Sequence, residues 1–97
     1  MSLQRLIGIT ILMLVSAASV AQERDVALLA AACAACHGTN GHSMAGTPSL
    51  AGLEKLYFIE QMQQFRSGER SATVMKQHVS GYTEEEVRLL ADYFSGQ

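Results

Sequence analysis

The sequence predicts a small all-α fold, and three observations lead there. Apolar residues recur at i, i+3, i+4 and i+7 in separated stretches, the spacing of one helical face. No stretch alternates apolar and polar residues as a half-buried strand does. The run Cys33-Ala34-Ala35-Cys36-His37 places two thiols and an imidazole together, in a chain of 97 residues that has room for one domain.

That run also carries the chemistry. Each thiol is spaced to add across one vinyl group of a haem, and His37 is then held under the iron as the proximal ligand. Other readings account for less. A dithiol redox pair belongs in a βαβ context, which this chain lacks. A zinc site usually takes four protein ligands, but no further Cys exists and His42 and His78 lie far apart. A disulfide leaves His37 unexplained.

The elements follow in order. Residues 1–21 read as a secretory signal peptide: Arg5 supplies a positive start, Leu6 to Val15 an apolar run, and Ser19-Val20-Ala21 the small residues a signal peptidase reads. The expected cut lies between Ala21 and Gln22, leaving residues 22–97 as one domain exported to the periplasm, with no membrane insertion after cleavage. An uncleaved anchor is the alternative. Val26, Leu29, Ala30 and Cys33 share one face of a first helix over Arg24 to Cys33, with alanines favouring helix and close packing. The stretch from His37 to Pro48 is rich in Gly, Thr and Asn and reads as a loop.

Leu53 to Phe65 is a second expected helix, with Phe58, Ile59, Met62 and Phe65 on one face and Gly68 as its stop. Ser71 to Ser80 has weak periodicity and reads as irregular chain between Gly68 and Gly81. Thr83-Glu84-Glu85-Glu86 is a capping box, whose acids suit the positive end of a helix dipole. Val87, Leu90, Ala91 and Phe94 continue as the stripe of a last helix. Its bulky side chains should cross the small-residue surface of the first helix beside one haem edge.

Charge excludes some functions. Without Arg5 the chain keeps nine acidic residues against six Lys and Arg, so it has no footprint for nucleic acid or an anionic membrane.

The second iron ligand separates an electron carrier from a reactive site. Met62 lies mid-helix on the apolar face, where Met is usually core filler. Met44 and His42 follow His37 closely, on a loop expected to pass along the proximal side. Met75 comes a whole helix later, where a chain wrapping the haem arrives on the opposite face, so it is the favoured candidate. Met62, His78 and Met44 remain alternatives. A thioether prefers ferrous iron and raises the reduction potential relative to a second imidazole. A metal-bound His also donates its second ring N–H to an acceptor, and the Pro48 carbonyl is a candidate. Arg66 and Arg70 could meet a haem propionate, although solvated side chains are the plainer reading.

Several segments carry a resemblance. They are Cys33-Ala34-Ala35-Cys36-His37-Gly38-Thr39-Asn40-Gly41, Pro48-Ser49-Leu50-Ala51-Gly52, Phe65-Arg66-Ser67-Gly68-Glu69-Arg70, Thr73-Val74-Met75 and Leu90-Ala91-Asp92-Tyr93-Phe94. Together they resemble small class I cytochromes c, most of all the cytochrome subunit of flavocytochrome c sulfide dehydrogenases, over nearly all of residues 22–97. The resemblance implies three to five helices wrapped around one haem c attached at Cys33 and Cys36. It implies His37 and Met75 as axial ligands and Pro48 as the acceptor for the His37 ring. It also implies an electron-transfer protein rather than an enzyme, partnered by a flavin-containing sulfide dehydrogenase subunit and a further redox acceptor. The single haem motif excludes an internal haem-to-haem relay, and no Gly-rich dinucleotide fingerprint is present, so any flavin belongs to another chain. A freely diffusing carrier between other periplasmic redox proteins is the alternative. A ligand-binding haem protein with an open iron site is a third reading.

A domain this small usually needs a staple, and a haem at its centre is one. Replacing Cys33 and Cys36 with Ala is expected to abolish haem that survives denaturing electrophoresis. The haem-free chain is expected to show a weak, non-cooperative helical signal by circular dichroism.

Overall fold

The computed structural model describes residues 26–97, and the expected signal peptide lies outside the described residues. Helix α1 occupies residues 26–31 of the described chain. It is followed by α2 (Ala34–His37), a 3₁₀ turn (Thr39–Gly41), α3 (Lys55–Ser67), α4 (Met75–Ser80) and α5 (Glu84–Ser95). No strand occurs among the described residues, so the all-α expectation holds.

Helix α5 forms as its sequence dictates. The Thr83 hydroxyl accepts the Glu86 N–H at 3.1 Å, and the Glu86 carboxylate accepts the Thr83 N–H at 2.9 Å. Val87, Leu90, Ala91 and Phe94 are all buried, which is the whole predicted stripe.

Helix α3 starts two residues later than expected and ends two residues later. Glu54 is the cause: its carboxylate accepts the N–H groups of Leu56 at 3.0 Å and Tyr57 at 2.9 Å, so the helix begins at Lys55. Leu53 and Phe58 then stand at the two positions of a hydrophobic staple. Gly68, in the left-handed region, ends the helix by donating to the Gln64 carbonyl at 3.0 Å.

Two expectations need correction. The first helix does not run unbroken through Cys33. A turn at residues 32 and 33 separates α1 from α2, with Cys33 N–H bonded to the Ala30 carbonyl. The stretch from Ser71 to Ser80 is not wholly irregular, because its second half is α4, with Met75 as its first residue.

The core holds Ala30, Phe58, Met62, Val79, Val87, Leu90, Ala91 and Phe94. Phe58 stacks on Phe94 with centroids 5.8 Å apart, and Tyr93 meets Phe94 edge-on at 5.2 Å. Helix α3 packs against both α4 and α5. Ala30 shares this core with Leu90, Ala91 and Phe94, and Tyr93 shares a groove with Ala27, Ala30 and Ala31, so the first and last helices meet as expected.

Phe94→Ala is expected to destabilise the haem-loaded protein by about 3–5 kcal/mol in chemical denaturation, through lost burial and the cavity left behind. The two backbone N–H bonds hold the Glu54 carboxyl below the usual range. Its contribution is therefore present above the unfolded-state pKa and lost as pH falls through the lower folded value. Glu54→Gln is expected to lower stability at neutral pH and to flatten that part of the acid-denaturation profile.

Candidate haem site

The turn at Cys33 and the short α2 set the two thiols and the imidazole in place. Cys33 stands at the N-cap of α2, and its carbonyl accepts the His37 N–H at 2.9 Å. Gly38 stops the helix with φ +83°, and a Cβ there would sit 2.0 Å from the His42 carbonyl oxygen. No other residue fits that turn without moving backbone.

The chain then folds back on itself. Gly41 is buried with φ +80°, and its carbonyl accepts the N–H groups of Leu50 at 2.8 Å and Ala51 at 3.2 Å. A Cβ on Gly41 would lie 2.8 Å from the Ala51 nitrogen and 2.9 Å from the Phe94 ring. Gly52 N–H continues the tie, bonding the Phe94 carbonyl at 2.8 Å. Asn40, also with positive φ, accepts the Tyr93 hydroxyl at 2.8 Å. The loop between His37 and Gly52 is thus pinned to itself and to the end of α5.

This pinning brings Pro48 to His37. The ring Nδ1 and the Pro48 carbonyl oxygen are 2.6 Å apart. A carbonyl only accepts, so Nδ1 carries a proton, and in the neutral ring the lone pair is then on Nε2. That is the state in which an imidazole binds a metal, with its second nitrogen fixed by an acceptor.

The thiols are free of each other, Cys33 half-buried and Cys36 exposed. Burial pushes the Cys33 thiol up, partly offset by a hydrogen bond with Tyr82. Burial also pushes the Tyr82 hydroxyl up, with the neighbouring Cys33 adding to it. Around them Leu29, Leu50, Leu53, Phe65, Met75 and Tyr93 pack against the core while staying only partly buried. The donor set therefore fits a haem: two thiols for its vinyls, a correctly protonated imidazole, and apolar side chains for its faces. Among the described residues no three His, Cys, Asp or Glu side chains converge as a metal cage.

The other candidates separate cleanly. Met62 is buried in the core, in the filler role its position suggested. Met44 is 99% exposed, and His42 and His78 are exposed on the surface. Met75 is half-buried and packed against the core from the first turn of α4. Arg66 is not the solvated side chain that its sequence context suggested. Its guanidinium is partly buried and donates to the Val79 carbonyl at 3.2 Å and the Tyr82 carbonyl at 2.9 Å. Arg70 bonds the Gln61 side chain and lies 4.6 Å over the Phe65 ring.

Comparison with known proteins agrees with this geometry. The family model for cytochrome c matches residues 24–96. The cytochrome subunit of sulfide dehydrogenase from Chlorobaculum tepidum is 43% identical over 69% of this chain and 61% of its own length. The thiosulfate dehydrogenase electron acceptor of Thiomonas intermedia is 40% identical over 68% of this chain and 31% of its own length. Cytochrome c-554(548) of Halomonas halodenitrificans is 33% identical over 67% of this chain and 83% of its own length. The match thus spans about three-fifths of the Chlorobaculum relative and about a third of the Thiomonas one. The chain belongs to the cytochrome c family, electron carriers that bind haem c covalently through the thiol spacing seen at Cys33 and Cys36.

Proposed function

We propose that this chain is an exported, periplasmic one-electron carrier with His37 and Met75 as axial ligands. We further assign it the role of haem subunit in a flavoprotein sulfide dehydrogenase. The observation that carries the ligation is the 2.6 Å contact between His37 Nδ1 and the Pro48 carbonyl, which leaves Nε2 free for iron. The partner rests on the similarity to the Chlorobaculum sulfide dehydrogenase subunit. Residues 1–21 serve as the export signal, and residues 22–97 form the cytochrome c domain. No helix among the described residues is long and apolar enough to cross a membrane.

Haem c supplies a reversible one-electron couple when bound. The protein sets how that couple behaves. His37, fixed by Pro48, is held as a basic ligand in one orientation. Met75 would supply the second ligand to the bound haem, a soft sulfur that favours the reduced state and leaves no place for small molecules. With His37 and Met75 both holding the group, the chain would need little movement between oxidation states. The partner's flavin would supply single electrons, and a further redox acceptor would take them on.

A second reading has its own support. The Halomonas cytochrome is matched over 83% of its length, so a domain of this extent also occurs as a cytochrome in its own right. A freely diffusing carrier is that alternative.

Two measurements check these assignments. The haem-loaded protein, used as bait on its native periplasm, is expected to retain a chain with flavin absorption. Recovery without flavin, alongside efficient reduction by other periplasmic extracts, favours the free carrier. Met75→Ala is expected to lose the sulfur-to-iron absorption of the oxidised protein and to bind carbon monoxide when reduced. A parent that binds carbon monoxide readily, with no change in the variant, means that Met75 is not the ligand.

A further inference from the structure

Helix α4 carries Met75 at its first position, yet little in its own sequence keeps it there. It has six residues, and its N-cap, Val74, makes no side-chain cap hydrogen bond. A helix this short is marginal without tertiary support. Val79 supplies part of that support. It is 0% exposed and lies one turn after Met75, so both side chains belong to the same face of α4.

Arg66 supplies the rest. It stands in the last turn of α3. Its Nη2 donates to the carbonyl of Val79 at the C-terminal end of α4, which also accepts the Tyr82 N–H at 3.1 Å. It donates also to the carbonyl of Tyr82, the residue before the N-cap of α5. One guanidinium therefore ties together the ends of α3 and α4 and the start of α5. The tie continues through Tyr82, whose hydroxyl donates to the Leu29 carbonyl at 3.4 Å. At the other end of α4, the Lys76 ammonium reaches the Gly68 turn that closes α3. The planar fork of Arg suits such a shared contact, whereas Lys offers a point charge on a flexible stem.

The geometry points to Arg66 as a positioning residue for Met75. By fixing the Val79 carbonyl against α3, it holds α4, and with it Met75, in place on the core. This role rests on Met75 being the second axial ligand. Without the clamp, α4 keeps its Val79 anchor but gains freedom at the turn that carries Met75, so the sulfur leaves the iron more often while the rest of the fold persists.

The test uses the haem-loaded parent, Arg66→Gln, Arg66→Lys and Met75→Ala. On heating, oxidised Arg66→Gln is expected to lose its sulfur-to-iron absorption well before its far-ultraviolet helical signal, whereas the parent loses both closer together. Reduced Arg66→Gln is expected to take up carbon monoxide about tenfold faster than the parent, the scale of losing hydrogen bonds from a charged donor. Arg66→Lys should fall between the two. It carries the same two readouts if Arg66→Gln fails to mature. Coincident loss of absorption and helix in the variant, or carbon monoxide uptake unchanged from the parent, overturns the role of Arg66. If Met75→Ala gains uptake while neither Arg66 variant does, the ligand assignment stands and only the clamp is wrong. If Met75→Ala keeps the absorption and excludes carbon monoxide, the ligand assignment itself is wrong.

Discussion

The hydrogen bond from the His37 ring to the Pro48 carbonyl governs how this domain meets its iron. An imidazole on a short helical turn can rotate about two side-chain bonds, and only one orientation directs Nε2 outward with Nδ1–H satisfied. The 2.6 Å contact selects that orientation. It depends in turn on where the loop leaves Pro48. Backbone ties place the loop, with Gly41 bonding Leu50 and Ala51 and Gly52 bonding Phe94. Two side-chain contacts add to them: the Ser49 hydroxyl accepts the Ser43 N–H, and Asn40 accepts the Tyr93 hydroxyl. The acceptor position is sensitive to Gly38 and Gly41, where an added Cβ would strike backbone.

The second constraint is size. Eight buried apolar residues form the core of the described chain, and nine more apolar side chains pack on it without being fully covered. A domain with more half-covered than covered apolar side chains has not finished burying its surface. Covalent haem resolves this by adding a large flat apolar body between those side chains. The same group that carries the electron then completes the core.

What was legible in the sequence was local. The Thr83 and Glu86 box and the α5 stripe need only neighbouring residues, and both appear as read. The haem motif was legible because its chemistry narrows the choices, and the Pro48 acceptor was named chiefly through the family resemblance. The errors came from local turn and cap geometry at Cys33 and Glu54, and from tertiary contacts at α4 and Arg66. Cys33 interrupts the first helix although alanines surround it, because the turn there bonds back to Ala30 instead of continuing the α-helical ladder. Glu54 caps α3 although Glu is not among the usual capping residues. Helix α4 has no periodic signal of its own, and Arg66 gave no local hint that its partners lay 13 and 16 residues away.

These contrasts imply that the two faces of the site differ in stiffness. On the His37 side, ligand and acceptor are eleven residues apart, on a loop closed by backbone hydrogen bonds and two tightly packed glycines. Freeing His37 means breaking several of these together. On the Met75 side, the residue sits on a six-residue helix with no side-chain N-cap, held by its packing on α3, by the buried Val79 and by the Arg66 guanidinium. Freeing Met75 means loosening only that segment, at a cost well below that of global unfolding. Ligand exchange in this protein should therefore begin on the Met75 side. Under the proposed ligation, the side chains that keep α4 in place then act on the potential through Met75.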